Sequence, residues 1–192
     1  MRRRGKSEMS LFGKPKGKKY HTRTVEINTY EYDEQRLAVD GYLKDHRFQE
    51  YHLETGERRQ PGLMHHMTVY LLVNKKTLDI EDLHVKMPVV PDDHCREIIN
   101  SMNLIKGLRI TRGFTSKIKA LIGGSKGCTH IVELLTQMAT STIQGQIAYI
   151  QQGPLMSKLD IIRMVENSCW PWRSDGPIIK LLKQQIEAKR KN

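Results

Sequence analysis

The sequence lacks the features that mark a membrane protein or a disulfide-stapled secreted domain. No stretch of its 192 residues approaches the roughly 18 consecutive apolar residues that cross a bilayer. In a cytoplasmic protein, its three cysteines, Cys95, Cys128 and Cys169, would be thiols or ligands rather than a disulfide framework. The basic segment 1–19 has no apolar stretch of the kind found in a secretory signal. We therefore expect a cytoplasmic protein without a transmembrane segment, whose thiols are reduced.

The positive charge of the chain is confined to its two ends. The formal net charge is +11, of which residues 1–19 carry +7 and residues 180–192 carry +4, so that residues 20–179 are neutral. No P-loop, zinc-finger or RNA-recognition motif accompanies this charge. We predict a basic disordered leader over 1–19, a single α+β domain over 20–179 and a basic C-terminal helix end over 180–192. The tails either aid solubility or make nonspecific contacts with nucleic acid or an anionic surface.

The first half of this domain has the residue pattern of β-strands. Residues that favour strands are separated by turn residues and glycine–proline loops. This arrangement predicts an antiparallel sheet of about four strands, over residues 20–30, 37–43, 64–73 and 78–87.

The pattern becomes helical after Pro88. A helix capped by Asp92 or Asp93 would bury a stripe at spacings of three and four residues, formed by Cys95, Ile98, Ile99 and Met102. A short helix is predicted over 116–122, a long one from the glycine loop to Gly153, another over 155–167 and a last one from Pro177. The expected fold is α+β, with helices packed on one face of the sheet.

The segment Gly-Gly-Ser-Lys-Gly-Cys-Thr-His at 123–130 is the first candidate for chemistry. It puts Cys128 at the beginning of a helix, where free backbone N–H groups and the helix dipole favour a thiolate. His130 follows two residues later and could serve as a metal ligand or a base. The alternative is a small buried cysteine on a packed helix.

Two more positions could contribute to the same site. Cys95 also lies near a helix start, although its place in the apolar stripe is equally typical of a core thiol. Strand alternation puts His65 on the same face as Met67 and Val69, which is the inward face. His66 points to the other side. An inward histidine is either a hydrogen-bonded structural residue or a ligand.

The stretch from Arg23 to Gly176 resembles an uncharacterised bacterial family of unknown function. The residues that carry this resemblance are Gly-Tyr-Leu-Lys-Asp at 41–45, His-His-Met at 65–67, Pro91 with Cys95, Gly-Cys-Thr-His at 127–130 and Asn-Ser-Cys at 167–169. The resemblance implies no established activity.

Residues 63–145 are similar in layout to the NifU/IscU iron–sulfur scaffold. The similarity rests on the segments Met67–Leu71 and Ile80–Asp82, Cys95 at a helix start, the Gly123-Gly124 loop, and Cys128 with His130. It implies that Cys95 and Cys128 occupy the places of the scaffold's second and third cysteines and that His65 lies near its aspartate ligand. The first cysteine of the scaffold has no counterpart, since Leu63 stands near that place.

Three functions follow from these residues. The first is a protein that binds zinc, iron or an iron–sulfur cluster through His65, Cys95, Cys128 and His130. Its partner would be a metal ion, or a protein that donates or accepts sulfur. The second is an enzyme with Cys128 as nucleophile and a histidine base, for which the residues name no third, orienting group. The third is a structural or adaptor protein whose cysteines belong to the core. The sequence does not fix the oligomeric state.

Overall fold

A computed structural model describes residues 17–153 and 157–191. The predicted leader 1–19 lies outside this part of the chain except for its last three residues. The described residues form two compact units, the first ending at Thr142 and the second beginning at Ile143. The division falls within a long helix, so each unit contains one part of it.

The first unit is built on the four-stranded antiparallel sheet that the sequence predicts. The strands in chain order are β1 (His21–Glu31), β2 (Arg36–Arg47), β3 (Tyr51–His52), β4 (Arg58–Arg59), β5 (Gly62–Asn74) and β6 (Ile80–Val89). Strands β1, β2, β5 and β6 lie side by side in that order, and the short β3 and β4 pair with each other. The sequence did not predict β3 and β4.

One face of the large sheet forms the core of the first unit. Along β2 and β5, alternate residues are buried, and the residues between them are mostly half-buried or exposed. Both strands therefore present an apolar inner face. The buried apolar side chains of the sheet are Leu37, Val39, Leu43, Met67, Val69, Leu71, Val73, Ile80, Leu83, Val85 and Met87.

The segment after β6 corrects one helix prediction. Asp92 caps it as expected, since its side chain accepts a hydrogen bond from the backbone N–H of His94. Residues Asp93–Ile105, however, form a 3₁₀ helix rather than an α-helix. The tighter turn brings every third residue to one side, and only Met102 and Ile105 are buried. Cys95 is half-buried.

Two α-helices complete the first unit. Helix α1 (Phe114–Ile122) buries Phe114, Ile118 and Ile122. Helix α2 (Thr129–Ile150) begins after the glycine-rich loop. The sequence pattern predicts that it buries Ile131, Leu134, Leu135, Met138, Thr142 and Ile143; the first five are buried, and Ile143 is half-buried.

The second unit contains the end of α2, α3 (Lys158–Val165), a 3₁₀ turn at Trp170–Trp172 and α4 (Pro177–Lys191). Helices α3 and α4 pack together, and their buried residues are Ile162, Val165 and Ile179. Both helices occur where the sequence predicts them. Within residues 17–153 and 157–191, no helix has the length and apolar character needed to traverse a membrane.

Helix α2 approaches the backbone of β2 closely at Gly41. A Cβ atom at this glycine would lie 2.6 Å from the Sδ atom of Met138, 2.9 Å from its Cγ atom and 3.2 Å from a methyl carbon of Leu134. All three distances are shorter than ordinary van der Waals contact. The absence of a side chain at residue 41 therefore sets how near α2 lies to the sheet.

Replacing Gly41 with alanine should push α2 away from the sheet and lower the free energy of unfolding by about 1–3 kcal/mol, the usual effect of overpacking. Urea denaturation would measure the change. Gly62→Ala is a matched control, because the nearest atom to a Cβ there is a backbone oxygen 4.0 Å away. Equal stability of the two variants would contradict this view of the α2–β2 contact.

Candidate functional site

Three polar residues form a row across neighbouring strands at one end of the sheet. Arg23 of β1 pairs with Asp45 of β2, and Asp45 pairs with His65 of β5. Asp45 and His65 are 3% and 9% exposed. They occupy the inward face, as the alternation predicts for His65.

The Asp45 carboxylate is the centre of this row. Its Oδ1 atom accepts hydrogen bonds from His21 at 3.0 Å and from Arg23 Nε at 2.8 Å. Its Oδ2 atom accepts one from Arg23 Nη2 at 2.8 Å and lies 3.0 Å from His65 Nδ1. Arg23 also forms an ion pair with Glu133 of α2. The carboxylate thereby joins β1, β2 and β5.

An irregularity in strand pairing shapes the site beside this row. Asp45 pairs with His65, but the next residue of β2, His46, pairs with Leu63. Met64 is therefore left without a partner on β2, which is the arrangement of a β-bulge. A bulge changes the direction of the side chains next to it. Here His65 and Met64 both line one cleft.

The glycine-rich loop positions the remaining residues. Gly124 has a φ angle of +59°, which is unfavourable for residues with a side chain. A Cβ atom on Gly127 would lie 2.5 Å from the carbonyl oxygen of Ile122. The loop can therefore turn tightly from α1 into α2. The carbonyl oxygen of Cys128 accepts the hydrogen bond from Val132 N that begins α2, so Cys128 caps this helix as predicted.

His130, in the first turn of α2, lies over the row of strand residues. Its Nε2 atom is 3.6 Å from Asp45 Oδ2, and its Nδ1 atom is 3.7 Å from the sulfur of Cys128. The His130 and His65 rings have centroids 4.1 Å apart. The helix thus adds a second imidazole to the pair formed by Asp45 and His65.

The pKa shifts favour a site that contains one anionic carboxylate and two neutral imidazoles. Burial by itself would raise the pKa of Asp45, but hydrogen bonds from Arg23 and His21 and the charge of Arg23 hold this pKa well below its usual range. Burial lowers the pKa of His65, with a further contribution from His130. Burial and then the charge of Arg23 lower the pKa of His130. These shifts favour an ionised Asp45 and two neutral imidazoles near neutral pH.

A carboxylate oxygen of Asp45 and one ring nitrogen each of His65 and His130, atoms of the kind that can hold a metal ion, all lie within 4.8 Å of one another. Of the residues predicted for a metal site, His65 and His130 therefore come together. The Cys128 sulfur lies near His130 Nδ1, the ring nitrogen that does not face Asp45. Cys95, on the 3₁₀ helix, does not belong to the group of Asp45, His65 and His130. Cys169 is exposed.

Sequence reasoning missed Asp45 and Arg23. The signal was present, because Asp45 lies two residues beyond Leu43 and therefore on the same inward face of β2. Arg23 could be found only through the pairing of β1 with β2.

Replacing Asp45 with asparagine should lower the free energy of unfolding at pH 7 by about 2–3 kcal/mol. This is less than the roughly 3–5 kcal/mol of a fully buried broken ion pair, because Arg23 is partly exposed and keeps Glu133. The pKa of Asp45 is lower in the folded protein than the roughly 3.9 of an unfolded chain. Its contribution is therefore present above about pH 4 and is lost as the pH falls further.

Denaturation of both proteins at pH 7 and pH 3 would measure this effect, and the difference between them should shrink at pH 3. Asp93→Asn is the control, because Asp93 forms an ion pair with Arg96 at the surface. That pair should contribute less than about 1 kcal/mol. An Asp45→Asn effect no larger than that of the control would contradict the central role of this carboxylate.

Residues 21–144 match a family described as protein of unknown function (DUF2889). This segment runs from the first residue of β1 to the later part of α2 and contains every residue of the site. No curated protein and no solved structure matches the chain. The likeness to the NifU/IscU scaffold therefore stays a prediction. Because the match covers well over half of the sequence, the chain belongs to the DUF2889 family.

Proposed function

We propose that Asp45, His65 and His130 bind a single divalent transition-metal ion, zinc or iron. The observation that carries the proposal is the convergence of a carboxylate oxygen and two imidazole nitrogens from β2, β5 and α2 within 4.8 Å. Nitrogen and oxygen ligands bound at about 2.1 Å in a tetrahedral site lie about 3.4 Å apart. The separations of 3.0 Å and 3.6 Å between Asp45 Oδ2 and the two histidines agree with this spacing.

The pKa shifts of the three side chains also support a metal site. A metal ion requires neutral imidazoles, and burial lowers the pKa values of both histidines. It also requires an ionised carboxylate, which Arg23 and His21 maintain at Asp45. Two histidines and one carboxylate leave coordination positions open, as in catalytic zinc sites and in non-haem iron(II) enzymes.

Cys128 takes a supporting role in this proposal. Its sulfur is near His130 Nδ1, whereas the nitrogen that faces Asp45 is Nε2. Metal-bound histidines commonly use their second nitrogen for a hydrogen bond that fixes the ring. A single nearby cysteine also favours one ion over an iron–sulfur cluster, whose irons are usually held by several thiolates.

Titration of metal-free protein with cobalt(II), zinc(II) and iron(II) tests the proposal, the last under anaerobic conditions. We expect one ion per chain, and a loss of affinity in His65→Ala and His130→Ala greater than the roughly 10- to 100-fold that removal of an outer partner causes. Cys128→Ser should stay within that smaller range. His66→Ala is the matched control, because this neighbour of His65 lies on the opposite face of β5. Equal affinity in His65→Ala and His66→Ala would contradict the proposal.

A thiol-dependent enzyme is the second candidate, and one observation favours it. Cys128 Sγ, the His130 ring and Asp45 Oδ2 follow one another at 3.7 Å and 3.6 Å. This is the order of nucleophile, base and orienting carboxylate in cysteine-dependent catalysis. Asp45 supplies the third group that the sequence alone did not identify.

Alkylation of metal-free protein with iodoacetamide, followed by mass spectrometry of each cysteine, tests this candidate. Cys128 should react faster than the exposed Cys169, and His130→Gln should slow Cys128 without changing Cys169. The reason is that a neighbouring base removes the thiol proton. Slower reaction at Cys128 than at Cys169 would count against a nucleophilic role.

A further inference from the structure

The metal-ligand group opens into a cleft of about 370 Å³. This volume is in the range of pockets that hold small molecules. Besides His21, Arg23, Asp45, His65 and His130, the residues that line the cleft are Tyr20, Arg47, Gln49, Glu50, Tyr51 and Met64. A molecule that reaches the three ligand atoms from this side would therefore contact these residues.

Arg47 is the positive group in this cleft that lacks an acidic partner. Its guanidinium lies 4.7 Å from the centre of the Tyr51 ring, which holds the planar group in place. Among the described residues, no carboxylate lies within 4.0 Å of Arg47. By contrast, Arg23 binds Asp45 and Glu133, and the Glu50 carboxylate is bound by Arg58 at 2.5 Å.

The position of Arg47 relative to the ligand group is set by β2. Arg47 follows Asp45 by two residues and pairs with His21, the residue that hydrogen-bonds to Asp45. Two residues of a strand span about 6.6 Å. Arg47 and the metal-ligand group thus form two recognition points along one wall of the cleft.

The charges indicate what this pair of points would bind. Asp45 and Glu133 are balanced in part by Arg23, and Glu50 is balanced by Arg58. A divalent ion and Arg47 would then be the strongest positive groups facing the cleft. Carboxylates bind both a divalent metal and a guanidinium, the latter through two hydrogen bonds.

We propose that the cleft binds a small dicarboxylate or a similar dianion, with one carboxylate on the metal ion and the other on Arg47. This inference rests on the proposed metal site. The length of the linker between the two carboxylates is what a series of dicarboxylates of increasing length would determine. Tyr51 orients Arg47 and is a positioning residue.

Cobalt(II)-loaded full-length protein would test the inference. The visible spectrum of the cobalt reports whether a carboxylate enters its coordination sphere, and it does so independently of Arg47. Malonate, succinate and glutarate would be titrated beside the monocarboxylate butyrate. We expect at least one of the three dicarboxylates to bind about tenfold more tightly than butyrate, because its second carboxylate makes one additional charge-assisted pair.

Arg47→Gln should remove this preference and leave both butyrate binding and cobalt binding unchanged. Arg47→Lys should restore part of it, since lysine keeps the charge but not the two-pronged geometry. Arg112→Gln is the matched control, because Arg112 also has no carboxylate within 4.0 Å among the described residues and does not line the cleft. Its preference for a dicarboxylate over butyrate should equal that of the unmodified protein.

Failure of the two proposals would look different. Absence of a cobalt spectrum in the unmodified protein would overturn the metal site and this inference with it. A cobalt spectrum together with no dicarboxylate of the three binding more tightly than butyrate would overturn the inference alone. So would a dicarboxylate preference that persists in Arg47→Gln.

Discussion

The ionised carboxylate of Asp45, buried on the inward face of the sheet, is the group on which both the sheet end and the candidate site depend. A charge in such a place is costly unless it is paired and hydrogen-bonded. His21, Arg23 and His65 supply these partners from the two neighbouring strands. The same interactions therefore hold the strand ends together and place the side chains of the candidate site.

This carboxylate can serve the fold and a metal ion together because its two oxygens provide about four acceptor positions. Arg23 occupies one position on each oxygen. A metal ion at Oδ2 would take the place of the contact with His65 and would leave Arg23 as an outer partner that fixes the carboxylate. Such partners orient ligands in known metal sites. The Asp45 carboxylate, which holds β1 and β2 together through Arg23, would thus already be oriented to bind an ion.

The close approach of α2 to the sheet brings His130 to the candidate site. Gly41 lets the helix lie near β2, and the glycine loop before Cys128 lets the chain turn into the helix at the sheet end. His130 then reaches Asp45, and Cys128 reaches His130. Cys95 also lies near a helix start, but it does not belong to the group formed by Asp45, His65 and His130. Both cysteines lie near helix starts, but only Cys128 lies beside the candidate site, because the packing of each helix, and not its cap, sets where the cysteine lies relative to the sheet.

The sequence by itself determined the four strands, the inward direction of His65 and the helix start at Cys128, because alternation, turn residues and glycine geometry act over a few neighbouring residues. It also contained Asp45 on the inward face, although an aspartate in a strand is more typical of a solvent-facing position. Only the tertiary structure decided that Arg23, Asp45, His65 and His130 meet. Their contacts join three strands and a helix far apart in the chain, and such contacts depend on strand register and helix packing, which no local pattern specifies.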